Sequence, residues 1–176
     1  ADSRRDVYIE SELVGVYETF SWQTGLKGGM NFGTSSQLRG ELRFGQLDAE
    51  PEPLDEGLDL PEFDNVELGT LSAVYEVDTF DNHNIPHRGT RLVARWLSSL
   101  EDLGAEHEYD KVTVAYRGAR TFKGRHTLML GLNGGATIDE DAPYYDQFML
   151  GGLFRMSGLS DNQLVGQNAA SGALLY

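Results

Sequence analysis

The sequence predicts an all-β protein, an antiparallel transmembrane β-barrel with about eight strands in 176 residues. Three observations predict it. Apolar residues recur at every second position through successive segments, the period of a strand with two unlike faces. The other face carries Arg39, Arg43, Arg91, Arg95, Lys111 and Arg117 in mid-strand. Each would cost about 2 to 4 kcal/mol near the midplane if turned to lipid, so the pattern assigns them to a watery lumen. Short connections also alternate with long ones, as they do between the two rims of a membrane barrel.

Taken in order, a strand near Asp6 to Ile9 precedes a long one from Leu13. There the even positions Val14, Val16, Phe20, Trp22, Leu26, Met30 and Phe32 are apolar, while Lys27 and Asn31 fall on the odd face. Gly33 to Ser36 is a turn by composition. Leu38, Leu42 and Phe44 then alternate with Arg39, Glu41 and Arg43, up to an acidic loop in which Pro51, Pro53 and Pro61 are expected to stop the strand. Residues 66 to 80 return with Leu71, Ala73, Tyr75 and Val77 opposite Glu76 and Asp78, and residues 81 to 89 turn the chain. Strands follow around Leu92 to Leu100, Val112 to Arg117 and Thr127 to Asn133, the last two joined tightly at Phe122 to Arg125. A long loop at about 138–162 and a weaker last strand from Gln163 to Tyr176 complete the chain, read as one partial barrel domain over 1–176. Trp22, Phe44, Phe80, Tyr109 and Phe122 lie near strand ends, where aromatic girdles form.

Composition narrows the function. A formal charge of −14 argues against a nucleic-acid surface, because phosphate binding wants a basic patch. The acid sits in alternate connections, at residues 48 to 64, 101 to 110 and 139 to 146. Solvation is the plain reading of these loops. A divalent-bridged contact with anionic lipopolysaccharide, or adaptation to high salt, is the sharper one. Asp55-Glu56-Gly57-Leu58-Asp59 is too loose for a calcium loop, and His83 and His87 sit in a Pro86-containing turn rather than on a metal-binding helix, so no metal and no cofactor is expected. No G-x-S-x-G elbow exposes a serine, and Ser157 has the wrong flanks for a nucleophile. The absence of cysteine removes disulfide and thiol chemistry. The first residues, Ala1 to Arg5, look like the interior of a longer protein.

One stretch does not read as core. Phe148-Met149-Leu150-Gly151-Gly152-Leu153-Phe154-Arg155-Met156-Ser157-Gly158-Leu159 sets a lone arginine among apolar residues and glycines, inside a connection of more than twenty residues. Loops that long are usually functional or disordered, and the apolar content argues against disorder. The string resembles the L-G-G…R-G-[YF] signature of the bacterial surface antigen family, sixteen-stranded outer-membrane barrels. That family includes assembly insertases, two-partner secretion transporters and the C-terminal barrels of patatin-like phospholipase autotransporters (type Vd). Gly151, Gly152, Phe154, Arg155, Ser157 and Gly158 carry the match, with Met156 and Ser157 inserted and Leu159 in place of the aromatic. The F-R-x-S-G form is most similar to the patatin-like branch. A second match is the turn from Asp81 to Gly89, where Pro86, Arg88 and Gly89 resemble the family's D-N…P-x-R-G turn.

The resemblance implies a bacterial outer-membrane location and a loop that tucks into the lumen, its arginine paired with carboxylates on strands beyond residue 176. It implies that the chain covers about half a barrel, from near the fifth strand to the twelfth. The expected function is the translocator and anchor of an upstream passenger, not itself an enzyme, with a phospholipase domain expected upstream. An assembly insertase is the alternative within the family, and a soluble lipocalin-like ligand carrier the alternative from another class. Implied partners are outer-membrane lipid and lipopolysaccharide, the remaining strands of the same protein or a second copy in a homodimer, and the passenger.

Overall fold

The structure is a computed structural model that describes residues 2–9, 12–53, 62–152, 159–160 and 162–176, with side chains described from Gly15 onward and Pro53 left out. Eight strands form one antiparallel sheet in chain order: β1 (Asp2–Ile9), β2 (Glu12–Phe32), β3 (Ser36–Pro53), β4 (Phe63–Asp78), β5 (Arg88–Ser99), β6 (Tyr109–Phe122), β7 (His126–Ile138) and β10 (Asn168–Leu175). Two short strands between β7 and β10, β8 (Phe148–Leu150) and β9 (Leu164–Gly166), pair only with each other among the described residues. The helical content among the described residues is two single turns, Glu101–Leu103 and Tyr144–Asp146. Among the described residues β1 and β10 are the edges of an open sheet.

Strand register turns the alternation of the sequence into two chemically distinct faces. Leu26, Leu42, Leu71, Trp96 and Val112 have the same parity as Trp22, Leu38, Tyr75, Val114, Leu130 and Leu132, and paired residues share a face. Most of this face is bare: Leu26 is 78% exposed, Met30 60% and Trp22 49%. An apolar surface this broad marks a face that meets a membrane or a partner. On β2 the exposed apolar positions run from Phe20 to Phe32, a length that at ~3.4 Å per residue and ~45° tilt projects to roughly 30 Å, the thickness of a bilayer core.

Four cross-strand rows cross the middle of the opposite face. Lys27, Glu41, Ser72, Leu97, Lys111 and Thr137 form one; Gly29, Arg39, Val74, Arg95, Thr113 and Gly135 the next. Gln37, Glu76, Val93, Ala115 and Asn133 form the third, and Asp78, Arg91, Arg117 and Gly131 the fourth. All six cations singled out in the sequence therefore stand on one face, Arg43 one row nearer the long-loop rim than Lys27.

Three expectations need correction. Pro51 and Pro53 do not end β3, which continues through both against β2. Among the described residues the β4 side of β3 is unpaired beyond Ala49, and a missing N–H costs no ladder bond at such an edge. Tyr109 is no girdle residue: it pairs with Ser99 on the charged face and is buried, its hydroxyl satisfied by Asp146. The last strand starts at Asn168, because Leu164 to Gly166 belongs to the loop's own hairpin.

Connections at residues 33–35, 79–87 and 123–125 share one rim, and those at 54–62, 100–108 and 139–167 share the other. Because 54–62, 79–87 and 100–108 are each nine residues, the expected contrast of short and long rims holds only for the turns at 33–35 and 123–125 against the loop at 139–167. The turn at Pro86 is built by side chains. Asp81 Oδ1 accepts the amides of His87 (2.9 Å) and Arg88 (3.1 Å), and Asn82 Oδ1 those of Asn84 (2.9 Å) and Ile85 (3.2 Å). Gly89 has φ of 115°, and a Cβ there would lie 2.7 Å from the Thr79 carbonyl carbon. That position requires glycine.

Candidate functional site

The candidate site is the charged face together with the loop that lies on it. The loop leaves β7 through Asp139, at φ 71°. Ala142, almost completely buried, is held by a side-chain amide: Gln167 Oε1 accepts its N–H (3.0 Å) and Gln167 Nε2 donates to its carbonyl (2.9 Å). The turn Tyr144–Asp146 then sets two aromatic rings against the rim. Tyr144 lies 5.7 Å from the Tyr17 ring, while Tyr145 meets Phe63 edge-on at 5.4 Å and stacks on His107 at 6.2 Å. Burial first, then Asp146 and Glu106, push the Tyr145 hydroxyl well above its ordinary pKa.

Asp146 is the polar anchor. Its Oδ2 accepts from Tyr109 Oη at 2.8 Å and pairs with Lys111 Nζ at 3.0 Å, and Lys111 also donates to the Asp146 carbonyl. Lys111 Nζ stands 4.6 Å from the centroid of Phe148 as well, a cation–π contact. The Phe148 ring rests where a side chain at Gly135 would be, since a Cβ there would fall 2.6 Å from its Cζ. β8 pairs with β9 as Phe148 with Gly166, Met149 with Val165 and Leu150 with Leu164. At its end Gly151 (φ 146°) and Gly152 (φ 90°) turn the chain, the Gly152 amide donating to the Leu159 carbonyl at 3.2 Å. A Cβ on Gly151 would collide with the Ser160 carbonyl, so the paired glycines of the motif are a steric requirement. Phe154, Arg155, Ser157 and Gly158 lie outside the described residues.

The wall beneath is organised by Glu76, 8% exposed. Its Oε1 accepts Arg91 Nε (3.0 Å) and Nη2 (2.7 Å), and its Oε2 accepts Arg39 Nη2 (3.1 Å) and Gln37 Nε2 (2.9 Å). Arg43 pairs with Glu41 at 2.9 Å. Arg95 and Arg117 instead line a cavity of about 420 Å³ beside the hairpin, shared with Thr113, Asn133, Phe148 and Leu150. At the short-turn rim His83 Nδ1 lies 3.6 Å from Asp78 Oδ2. No group of three potential metal ligands exists among the described residues.

The Omp85 superfamily domain matches residues 19–174, from within β2 almost to the end of β10. The chain belongs to the Omp85 superfamily. The match takes in both the charged wall and the inserted loop, and it agrees with the resemblance to the bacterial surface antigen family. A search of curated proteins found no match. Omp85 proteins are bacterial outer-membrane proteins. An apolar face left bare and a loop laid on the charged one is the reverse of a lipocalin-like carrier, whose apolar side chains surround the ligand.

Sequence reasoning placed the cations on one face but missed Glu76 as their hub, and missed the Lys111–Asp146 pair and the tyrosine clip. Strand register assembles the Glu76 contacts, and the loop folding back over the wall brings Asp146 to Lys111 across 35 positions. The one local signal was Tyr144-Tyr145-Asp146, an aromatic pair inside an otherwise acidic loop.

Proposed function

We propose that this Omp85 chain is part of an outer-membrane translocator barrel that anchors, and helps deliver, a passenger carried on the same polypeptide, and that it has no catalytic activity of its own. The observation that carries the reading is the loop between β7 and β10, whose first arm lies along the charged face and leads directly into Phe154-Arg155-Met156-Ser157-Gly158. A charged face covered by an apolar, glycine-bearing hairpin suits a watery lumen whose opening a loop controls. The F-R-x-S-G form supports the patatin-like autotransporter branch, with a phospholipase domain as the passenger. The six cations face the lumen in this reading, and Arg155 reaches carboxylates on further strands. The two sheet edges are covered by those strands or by a second copy, because an open edge in lipid leaves backbone groups unsatisfied. The other partners are outer-membrane lipid and lipopolysaccharide.

The test uses the full-length protein in bacterial outer membranes, with surface display of the upstream segment read by added protease. Arg155→Ala is expected to lower display at least ~10-fold, a barrier change of ~1.4 kcal/mol, while the barrel still assembles. Unchanged display sinks the translocator reading. Loss of unrelated outer-membrane barrels on depletion of the protein, with display intact, establishes the insertase alternative instead.

A further inference from the structure

We propose that Lys111 is a positioning residue: it clamps the root of the inserted loop to the charged wall, as an attachment separate from any made by Arg155. The inference deepens the translocator reading and rests on it for its consequence, that the clamped arm plugs the lumen.

Three independent features meet at this point. Lys111, with its side chain only 13% exposed, is shared between the Asp146 carboxylate at 3.0 Å, the Asp146 carbonyl and the Phe148 ring at 4.6 Å. A lysine on a solvated wall has no need of three partners from one loop. Tyr109, also buried on the wall, gives its hydroxyl to the same carboxylate at 2.8 Å. Gly135, one row from Lys111 on the neighbouring strand, supplies the space for Phe148, and any side chain there would displace the ring. The charge pair fixes the arm's position and the glycine fixes its depth. Either perturbation alone should release the arm.

Two readouts on the full-length protein refolded into lipid vesicles separate the clamp from its consequence. Hydrogen exchange of the 144–150 amides reports whether the arm is seated, and single-channel conductance reports whether the lumen is open. Lys111→Met and Gly135→Ala are each expected to raise exchange in that segment at least ~10-fold, about 1.4 kcal/mol of lost protection. Lys111→Arg, which keeps a cation over Phe148, should restore the native value. Gly131→Ala is the steric control, on the same strand and face, where a Cβ would meet only the Ala173 carbonyl oxygen at 4.0 Å. Native-like protection in both Lys111→Met and Gly135→Ala overturns the clamp. A rise in both that Gly131→Ala does not share supports it. If that rise comes with more frequent channel opening, the lumen plug is supported too; if conductance stays at the native level, the clamp stands and the translocator reading fails.

Discussion

Replacing Glu76 by glutamine tests whether the wall is a cooperative unit or a row of separate surface charges. The carboxylate accepts four hydrogen bonds from Arg91, Arg39 and Gln37, all between 2.7 and 3.1 Å. Bonds to a charged acceptor are worth ~1.5 to 3 kcal/mol each when shielded. Here the arginine side chains are 36% and 43% exposed, so solvent screening reduces each pair to ~1 kcal/mol or less. Glutamine keeps one acceptor oxygen but leaves two guanidinium groups facing each other without the intervening charge. The net loss comes to ~2 to 3 kcal/mol, well above a typical surface substitution. Urea titration of the protein in vesicles measures it, with Trp22 and Trp96 on the lipid side as fluorescent reporters of insertion. Arg91→Met should cost less, since it removes one of the two arginine pairs, and the double variant should show a coupling of ~0.5 to 1 kcal/mol. The effect should also shrink as salt rises toward ~1 M, where the Debye length falls to ~3 Å. A loss under ~0.5 kcal/mol, or strictly additive effects, would refute the hub.

Three further outcomes follow from the faces and the rim. Leu130→Arg, on the apolar face, should destabilise the inserted protein by ~2 to 4 kcal/mol, whereas Asn133→Arg on the wall should cost ~1 kcal/mol or less in the same titration; equal costs would reverse the assignment of faces. Amides from Arg88 and then His87 hold the Asp81 carboxyl below its usual range. A depressed carboxylate stabilises above its unfolded pKa and loses that contribution as pH falls through the folded value, so the His87 and Arg88 amide shifts should titrate with a midpoint below ~3.9; a midpoint at or above it counts against the turn geometry. Gly89→Ala should loosen the same turn by ~1 kcal/mol or more through its positive φ, seen as a lower urea midpoint.

The strands and their faces were legible because period-two alternation is a local property: Leu128, Leu130 and Leu132 against Thr127, Gly131 and Asn133 can be read without knowing any partner. Register is not local. Glu76 becomes a hub only because Gln37 lies opposite it on one side and Arg91 two residues from its partner Val93 on the other. Nothing within one strand reports that. Tyr109 misled for the same reason, since an aromatic at a strand end suits a girdle or a buried hydrogen bond equally, and Asp146 decides between them from 37 residues away. Pro51 and Pro53 misled because a proline breaks a central strand but not an edge, and which side of β3 is free depends on where β4 starts. The glycines were the better guides. Gly151 and Gly152 stand out in the sequence as the paired glycines of the loop motif, and both have positive φ, Gly151 in a crowded bend.

The electrostatics of the wall constrain how the rest of the loop is held. Between the rims it presents Lys27, Arg39, Arg43, Arg91, Arg95, Lys111 and Arg117 against Glu41, Glu76 and Asp78, a surplus of positive charge. Such a surface attracts Asp146, and Asp146 is the loop residue paired to it. The same surface repels Arg155. A guanidinium brought beside like charges is unfavourable unless carboxylates meet it, and all three of the wall's carboxylates already serve its own arginines, Asp78 at 3.8 Å from Arg91 Nε. The proposed function therefore takes the partners of Arg155 from strands beyond these eight. On that proposal Asp146 and Arg155 answer to charges of opposite sign on different parts of the barrel. Neutralising Lys111 should free the 144–150 arm and leave the effect of Arg155→Ala on display unchanged. Raised exchange at residues 144–150, with a normal loss of display on Arg155→Ala in the same background, is the result this division predicts.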